Sequence, residues 1–430
     1  MIELKLDDFQ KIICNNKCAF LCGNGFSINF DDDYKYIYDN LFKAHKKVIN
    51  SAKLKVHANK LISKVFKDNF NSIKQEMYNY NQLDIDKIFT DGIQFAKSIV
   101  EDTDLIDILN NKKLISKLVF DKTQLSLVES IATMGLLKGY KYVNIEYWTV
   151  LIYFYYAIKK VDSKQYQFPS DNKFIYLLKV GSKNNNPVIN DGGKALHQFV
   201  MTNGFNLYYR FLFSTAILCD GKSVDCSKLT KVKTVNKKTL LLLLNSFEIL
   251  MTLNYDHILE YLTGRNVTHI HGEYIVDKDE YVWCCSLGVE EQGHYISLSD
   301  ILIGDYFVNK NFAGITNSMV DIDGIKRTAN FSNSIDKNMR INDVTHIVLF
   351  GMNIDNDQHI IRNIMLSLED RINKDVGIIY CYFRVSDIEI FEKEYHKVIT
   401  FSDDVSGRVR QIPIYCIKSE DILDKYFFAN

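Results

Sequence analysis

Residues 18–27, with the sequence CAFLCGNGFS, decide the fold that we expect the rest of the chain to adopt. Five apolar residues in succession suit a strand that is covered on both faces, as in a parallel sheet. Gly23 and Gly25 then permit a tight turn, so free N–H groups and the N-terminus of the next helix can face an anion. The stretch therefore predicts a buried strand that ends in a phosphate-binding loop, although Gly-x-Gly also occurs in ordinary turns.

The composition predicts a globular protein with no global attraction to nucleic acid or membranes. The chain has 430 residues, 47% of them hydrophobic, and its 52 basic residues nearly balance its 53 acidic ones. The N-terminus lacks the order of a signal peptide, and no apolar run reaches the roughly 18 residues of a membrane span. Nine cysteines without a Cys-x-x-Cys pair favour reduced thiols over disulfides or a zinc ribbon. We therefore expect a cytoplasmic protein.

Helical periodicity dominates residues 36–234, which we expect to form a mainly helical insert. Strand-like alternation is scarce there. The segment at 147–158 is apolar on every side, which predicts a core helix, or a helix that another subunit buries, rather than a membrane span.

The pattern changes after residue 235, where strands and helices alternate. Strands are predicted at 248–253, 267–271, 344–350, 376–383 and 412–417, and helices at 257–262, 357–372 and 387–396. Residues 277–340 give no clear pattern. The alternation predicts an α/β fold, a Rossmann-like doubly wound parallel sheet built from residues 1–35 and 235–430.

Ligands bind such a sheet outside the carboxyl ends of its strands, so four loops should converge. They lie at 23–27, 254–256, 271–272 and 351–355, each directly after a predicted strand. Together they supply glycines for a close approach to phosphate, an Asn, two Asp and a His. This set predicts a site that binds a nucleotide and activates a hydroxyl.

The same loops carry motifs that resemble those of the SIR2-like family. The resemblance is greatest to the prokaryotic branch with a Gly-Asn-Gly-Phe loop, which includes the AbiH-like abortive-infection proteins. It covers residues 1–30 and about 245–425. The matching residues are Gly23-Asn24-Gly25-Phe26-Ser27, Thr252-Leu253-Asn254-Tyr255-Asp256 and His271-Gly272, with a looser match at Gly351-Met352-Asn353-Ile354-Asp355.

The resemblance implies an NAD⁺ glycohydrolase, in which NAD⁺ is the substrate and no metal is expected. It implies that Asn254 holds the ribose or the attacking water, that His271 is the general base, and that Asp256 orients the ribose or the Asn254 loop. Gly23, Gly25 and Ser27 would hold the pyrophosphate, and Asn353 or Asp355 would bind the adenosine ribose. The implied NAD⁺-binding set is Gly23, Asn24, Gly25, Phe26, Ser27, Tyr255, Gly351, Asn353 and Asp355.

The resemblance also sets limits on the function. The zinc-ribbon cysteines and acyl-lysine channel of the deacylating sirtuins are missing, and Asn24 stands where those enzymes usually have Ala. By family analogy we expect an antiphage effector that depletes NAD⁺. We expect it to be kept inactive in a homo-oligomer or in a complex with a defence partner, with the helical insert as the interface. The alternative is a non-catalytic sensor of NAD⁺ or ADP-ribose.

Plainer interpretations exist for each motif. His271 could be a core histidine bonded to a carbonyl, residues 254–256 could form a turn, and Asp355 could cap the next helix. His269 and His271 share a strand face and could bind zinc as a pair, but no third ligand with metal spacing is evident. A purely structural explanation would have to apply independently at each of the four strand ends, so we favour the interpretation of these loops as an active site.

Overall fold

The computed structural model describes residues 1–50, 55–58, 63–115, 123–161, 166–183, 196, 199–200, 202–277, 285–291, 293–298, 330–354, 357–399 and 403–428. The chain forms two compact units. The first comprises Met1–Lys35, Gly221–Glu273 and Asn317–Asn430, and the second comprises Tyr36–Asp220 and Tyr274–Thr316.

The described residues contain strands that form two sheets. In chain order they are β1 (Ile2–Glu3), β2 (Cys18–Cys22), β3 (Lys55–Ala58), β4 (Ile249–Thr252), β5 (Thr268–His269), β6 (Tyr274–Val276), β7 (Cys285–Glu291), β8 (His294–Leu298), β9 (His346–Phe350), β10 (Gly377–Tyr382) and β11 (Ile414–Lys418). The first unit holds a seven-stranded sheet in the order β1-β11-β10-β9-β2-β4-β5. Every neighbouring pair in it is parallel, as predicted for an α/β fold.

Strand β2 lies inside this sheet, between β9 and β4. All five of its residues are buried, as the apolar run predicts. Leu21 is opposite Leu349 on one side and Met251 on the other. Because the chain leaves β2 and later adds β4 on one side and β9 on the other, the strand order changes direction at β2. Such a switch point opens a crevice at the carboxyl ends of the strands.

The helices of the first unit follow the predicted alternation closely. They are Leu6–Asn15, Asn24–Ser27, Lys237–Asn245, Ile258–Thr263, Asn330–Ile341, Gln358–Leu368, Val385–Val398, Asp403–Val409 and Ser419–Ile422. The first helix begins after Lys5, so Asp7 and Asp8 lie inside it and do not precede it. Both carboxylates lie in its first turn, where the helix dipole favours negative charge.

An aromatic core lies beneath the loop that follows β2. Phe26 packs against Phe20, Phe30, Phe350 and Phe427, with ring centroids 5.1–6.3 Å apart. All five rings are at most 2% exposed. The burial of these rings anchors the loop after β2 to the sheet.

The second unit is mostly helical, but it also contains a sheet that the sequence did not predict. Its helices are Leu41–Asn50, Ser63–Glu76, Gln82–Glu101, Thr103–Asn111, Gln124–Lys138, Trp148–Val161, Lys173–Val180 and Gly204–Leu218. Four antiparallel strands pair in the order β3-β7-β8-β6. Helical periodicity could not reveal this sheet, since β3 pairs with a strand from the part of the sequence without a clear pattern.

The unit boundaries therefore differ from the prediction at two places. Residues 221–234 belong to the first unit, where Lys222 pairs with Asp31 at 3.0 Å and Asp33 at 2.6 Å. Residues 274–298 belong to the second unit. The polar stretch at 221–234 carries no periodicity that would show where it packs, and most of residues 274–298 lie in the part of the sequence without a clear pattern.

The apolar segment at 147–158 is a core helix of its own unit. Residues from Trp148 to Ile158 are all buried, and the indole of Trp148 donates to the Tyr38 hydroxyl over 2.7 Å. The same ring packs against Phe89 and Phe174. No second subunit is needed to cover the segment. Among the helices that the structure describes, none has the length and apolar character of a bilayer span.

Candidate functional site

Four strand-end loops meet at one edge of the seven-stranded sheet. They follow β9, β2, β4 and β5, which are neighbours in that order, so their carboxyl ends share an edge. The loop after β2 contacts the loop after β9 through Gly25 and Gly351. It contacts the loop after β4 through Asn254, and His271 approaches Asp357 beyond β9. The predicted convergence is therefore present, apart from Asp355, which lies outside the described residues.

The glycines bring two loops into close contact. A Cβ atom at Gly25 would lie 2.5 Å from Cα of Gly351, and one at Gly23 would lie 2.8 Å from the oxygen of Gly351. Both distances are shorter than real Cβ contacts allow. Gly351 has φ +64°, which also favours glycine. These positions require glycine because two backbones pack there.

The amide groups of Gly23 and Gly25 do not face an open pocket. The Gly23 N–H donates to the oxygen of Phe350 over 3.0 Å, and the Gly25 N–H donates to the oxygen of Gly351 over 2.8 Å. The prediction of free N–H groups at these two glycines is therefore wrong, since the chain after β9 supplies their acceptors.

The other residues of the β2 loop divide into buried and exposed. Phe26 belongs to the aromatic core, and Ser27 is fully buried. Neither side chain is accessible to NAD⁺, contrary to what the resemblance implies. Asn24 is exposed, and its amide donates to the oxygen of Tyr34 over 3.0 Å. Asn24 is thus the side chain of this loop that a ligand can reach.

A buried chain of hydrogen bonds joins the β2 loop to the β4 loop. The amide of Asn254 donates to the Ser27 hydroxyl over 2.8 Å and to the oxygen of Gly23 over 3.0 Å. The Ser27 hydroxyl donates to Asp256 over 2.7 Å, and Asp256 also accepts from the Ile258 N–H. These bonds connect Asp256 with the Asn254 loop, which is one of the two roles that the resemblance implies for it.

Burial of Asp256 raises its pKa above the usual value, although the bonds from Ser27 and Ile258 act in the opposite direction. Its side chain is remote from solvent, with 6% of the residue exposed. Asp256 is therefore linked to Asn254 through the Ser27 hydroxyl and is remote from solvent.

His269 is a site residue that the sequence did not single out for this role. Its Nδ1 lies 2.8 Å from the oxygen of Asn254, and its Nε2 lies 2.8 Å from Glu260. Burial lowers the pKa of His269, but the hydrogen bond and charge of Glu260 outweigh it and leave the pKa raised. His269 thus holds the backbone of Asn254, while Gly23 and Ser27 hold its side chain. Its place two residues before His271 is the only signal in the sequence.

His271 lies among groups from the loop after β9. Its Nε2 is 3.7 Å from Oδ1 of Asp357, and its ring stacks on His359 with centroids 5.7 Å apart. The side chain is 18% exposed, and burial lowers its pKa to about 4. The imidazole is therefore neutral at pH 7 and able to accept a proton.

Asp357 and His359 were not predicted as site residues. They flank the start of the helix Gln358–Leu368, whose N-terminal cap position is Asp357 without a side-chain cap bond. The sequence feature that could have identified them is their position just after the loop at 351–355, at the start of an apolar helix. A carboxylate and an imidazole so close to His271 can orient its ring.

The remaining predicted binding residues differ in how exposed they are to solvent. Tyr255 is buried at 9% exposure, and Gly351 serves the loop contact described above. Asn353 is exposed between buried Met352 and Ile354. Asn353 is thus exposed to solvent, whereas Tyr255 contributes to packing.

Within the part of the chain that the structure describes, two groups of side chains could each hold a metal ion. His257, His269 and Glu273 have ligand atoms within 4.8 Å of one another, and so do His271, Asp357 and His359. His269 and His271 therefore belong to different groups. They do not form the single zinc-binding pair that their spacing had suggested. The third ligands come from residues whose spacing in the sequence is not that of a known metal motif.

Comparisons of the chain with protein-family models, with curated proteins and with solved structures found no match.

Proposed function

We propose that the chain is an NAD⁺ glycohydrolase that cleaves the nicotinamide–ribose bond and releases nicotinamide and ADP-ribose. One observation carries the proposal: contacts link four loops at the switch point beside β2, and these loops bear Asn254 and His271. Nucleotides bind α/β sheets in the crevice at this point. The SIR2-like resemblance of the same loops supplies the reaction.

The chemistry suits the side chains. Nicotinamide leaves from a cationic pyridinium, so the transition state resembles an oxocarbenium ion and needs positioning more than a strong acid. The C1′–N bond breaks, a water oxygen bonds to C1′, and the water's proton passes to His271 and then to solvent. A weakly basic, neutral His271 suffices, because the developing cation is a strong electrophile.

Asn254 is held in a way that suits a binding role. Its Nδ2 donates to Ser27 and to Gly23, and its backbone oxygen lies against His269. These bonds leave the amide in one orientation, so the amide oxygen can accept from a ribose hydroxyl or the attacking water without a further entropy cost.

The contacts with the rest of NAD⁺ must differ from those that the resemblance implies. The Gly23 and Gly25 amides and the Ser27 hydroxyl are engaged within the protein. The exposed amides of Asn24 and Asn353 lie on the two loops that meet at Gly25 and Gly351. We propose that these two amides bind the adenosine diphosphate portion of the substrate.

The biological role rests on the family resemblance alone. It suggests an antiphage effector that depletes cellular NAD⁺ and is controlled by oligomerisation or by a defence partner.

All seven cysteines whose side chains the structure describes are free thiols. Free thiols favour a reducing compartment, in line with a cytoplasmic location.

A second candidate is a non-catalytic sensor of NAD⁺ or ADP-ribose. The observation that favours it is the engagement of Gly23, Gly25, Ser27 and the Asn254 amide nitrogen in internal hydrogen bonds. A loop closed in this way can bind a nucleotide through its exposed residues without turning it over.

The test incubates the purified full chain with NAD⁺ and follows nicotinamide release by chromatography. His271→Ala and Asn254→Ala should reduce release by about 100-fold or more, since general-base catalysis alone contributes roughly 10²–10⁴. The matched control is His396→Ala, which replaces an exposed histidine on the helix Val385–Val398 and should not change the rate. Calorimetry with ADP-ribose measures binding in the same samples.

Three outcomes separate the candidates. Release that depends on His271 supports the hydrolase. The sensor is supported if the purified protein binds ADP-ribose without releasing nicotinamide and if NAD⁺ does not fall in phage-challenged cells. If the purified protein shows no binding and no release, and cellular NAD⁺ does not fall, both candidates are contradicted.

A further inference from the structure

A second cluster of polar side chains lies beside the Asn254 loop and takes no part in the proposed reaction. His257 precedes the helix Ile258–Thr263, His269 ends β5, and Glu273 follows four residues later. Nε2 of His257 is 3.5 Å from Oε2 of Glu273, and Nε2 of His269 is 3.8 Å from the same oxygen. These spacings are close to the ligand–ligand distances of a tetrahedral site with metal bonds of about 2.0–2.2 Å.

The hydrogen bonds of His269 orient it as metal-binding histidines are oriented. A backbone carbonyl can only accept, so the Nδ1 of His269 carries the proton that it donates to the oxygen of Asn254. Metal-bound histidines almost always donate their other ring N–H to a carbonyl or carboxylate in this way. The Nε2 atom is thereby directed towards Glu260 and Glu273.

The charges of the cluster also suit a cation. Two carboxylates, Glu260 and Glu273, face two imidazoles. The second carboxylate oxygen of Glu260 is buried and has no hydrogen-bond donor among the described residues. A divalent cation would neutralise both carboxylates.

We propose that His257, His269 and Glu273 bind a divalent transition metal of the zinc type, with Glu260 beside it. Imidazole nitrogens and carboxylate oxygens are the ligands that such ions take. The His257 and Glu273 side chains are 27% and 39% exposed, which gives the ion a path from solvent. The bound ion would replace the proton on Nε2 of His269 and hold the Asn254 loop through Nδ1.

This site is separate from the group that contains His271 and does not depend on NAD⁺ hydrolysis. It revises the expectation of no metal that the SIR2-like resemblance gave. The ion would act on the loop's position, since its ligand His269 bonds to the oxygen of Asn254 and none of the three ligands is assigned to the reaction.

The test uses the full chain, stripped with a chelator, loaded with Zn²⁺ or Co²⁺ and freed of excess metal. Elemental analysis should find one ion per chain, and Co²⁺ should give the visible absorption of a site with nitrogen and oxygen ligands. Zn²⁺ should also raise the melting temperature, because a ligand that binds only the folded state stabilises it.

The variants are His257→Ala, Glu273→Gln and the two together. Both side chains are partly exposed, and circular dichroism checks that each variant folds. Loss of a ligand should weaken Zn²⁺ binding by at least the roughly 10–100-fold that loss of an outer partner costs. His396→Ala and His271→Ala should bind as the wild type does, and thiols contribute equally in all variants.

Two results would overturn the proposal. The first is a wild-type chain that retains no more metal than the double variant. The second is a loss of binding in His271→Ala with none in His257→Ala, which would assign the ion to the group of His271, Asp357 and His359.

Discussion

The hydroxyl of Ser27 donates a hydrogen bond to Asp256 over 2.7 Å, although 229 residues separate them in the chain. The same hydroxyl accepts from Asn254 over 2.8 Å. The contact ties the loop after β2 to the loop after β4, which is its neighbour in the sheet. The position of Asn254 therefore depends on a serine near the N-terminus.

We expect Ser27→Ala to destabilise the protein by about 1–3 kcal/mol, because Asp256 would lose a donor while it stays buried. Urea unfolding of wild type and variant measures the difference. The control is Ser246→Ala, whose hydroxyl bonds the oxygen of Leu243 at a helix end and should change stability by less than about 0.5 kcal/mol. Equal effects of the two substitutions would contradict the role given to Ser27.

Gly25→Ala should be among the most damaging glycine substitutions. Its Cβ would lie 2.5 Å from Cα of Gly351, and backbone cannot yield as a flexible side chain can. We expect a cost of about 1–3 kcal/mol or more from the forced shift of the two loops. The measurement is again the free energy of unfolding.

Gly407→Ala is the matched control for that substitution. Gly407 lies in the helix Asp403–Val409, and a Cβ there would meet nothing within 4 Å. Alanine should stabilise this helix by up to about 1 kcal/mol, since it has the higher helix propensity. Opposite signs for the two glycines are expected, and a tolerated Gly25→Ala would contradict the close contact with Gly351.

His45 should make stability depend on pH. Burial lowers its pKa to about 4, and its Nδ1 lies 2.8 Å from the Tyr208 hydroxyl. The unfolded histidine, with a pKa near 6.5, binds a proton at higher pH than the folded one, so stability falls as pH drops from about 6.5 towards 4. At pH 5 the loss from this group is about 2 kcal/mol.

The measurement compares wild type and His45→Gln in urea at pH 7 and pH 5. The difference between the two proteins isolates His45 from other titrating groups. We expect the wild type to lose about 2 kcal/mol more than the variant over this interval. Parallel pH profiles would show that His45 does not titrate as its burial implies.

Much of the seven-stranded sheet could be predicted from the sequence because its strands are continuous apolar runs that end in polar residues. Burial on both faces of β2, β9 and β10 produces that pattern directly. The sheet of β3, β6, β7 and β8 could not be predicted, since its strands pair across the chain and carry no such run.

The site was predicted in outline and less well in detail. Strand-end position predicted that the loops of Asn254 and His271 would converge. It could not show that β9 supplies the acceptors for Gly23 and Gly25, because that depends on which strand lies next to β2. His269 was considered only as a zinc ligand with His271, and its hydrogen bond to the oxygen of Asn254 could not be predicted because it depends on a single contact in the fold.

Asp357 offers a test of how His271 is positioned, on the premise that the chain hydrolyses NAD⁺. The 3.7 Å between the two side chains suits orientation of the imidazole through water or a small movement. Asp357→Asn should reduce kcat for nicotinamide release by about 10-fold, and His271→Ala by about 100-fold or more. The double variant should be no slower than His271→Ala alone, because residues that act as a unit are not additive. ADP-ribose affinity, measured in parallel, should change little in all three, which separates a positioning effect from a lost fold. Multiplied losses in the double variant would mean that Asp357 acts independently of His271.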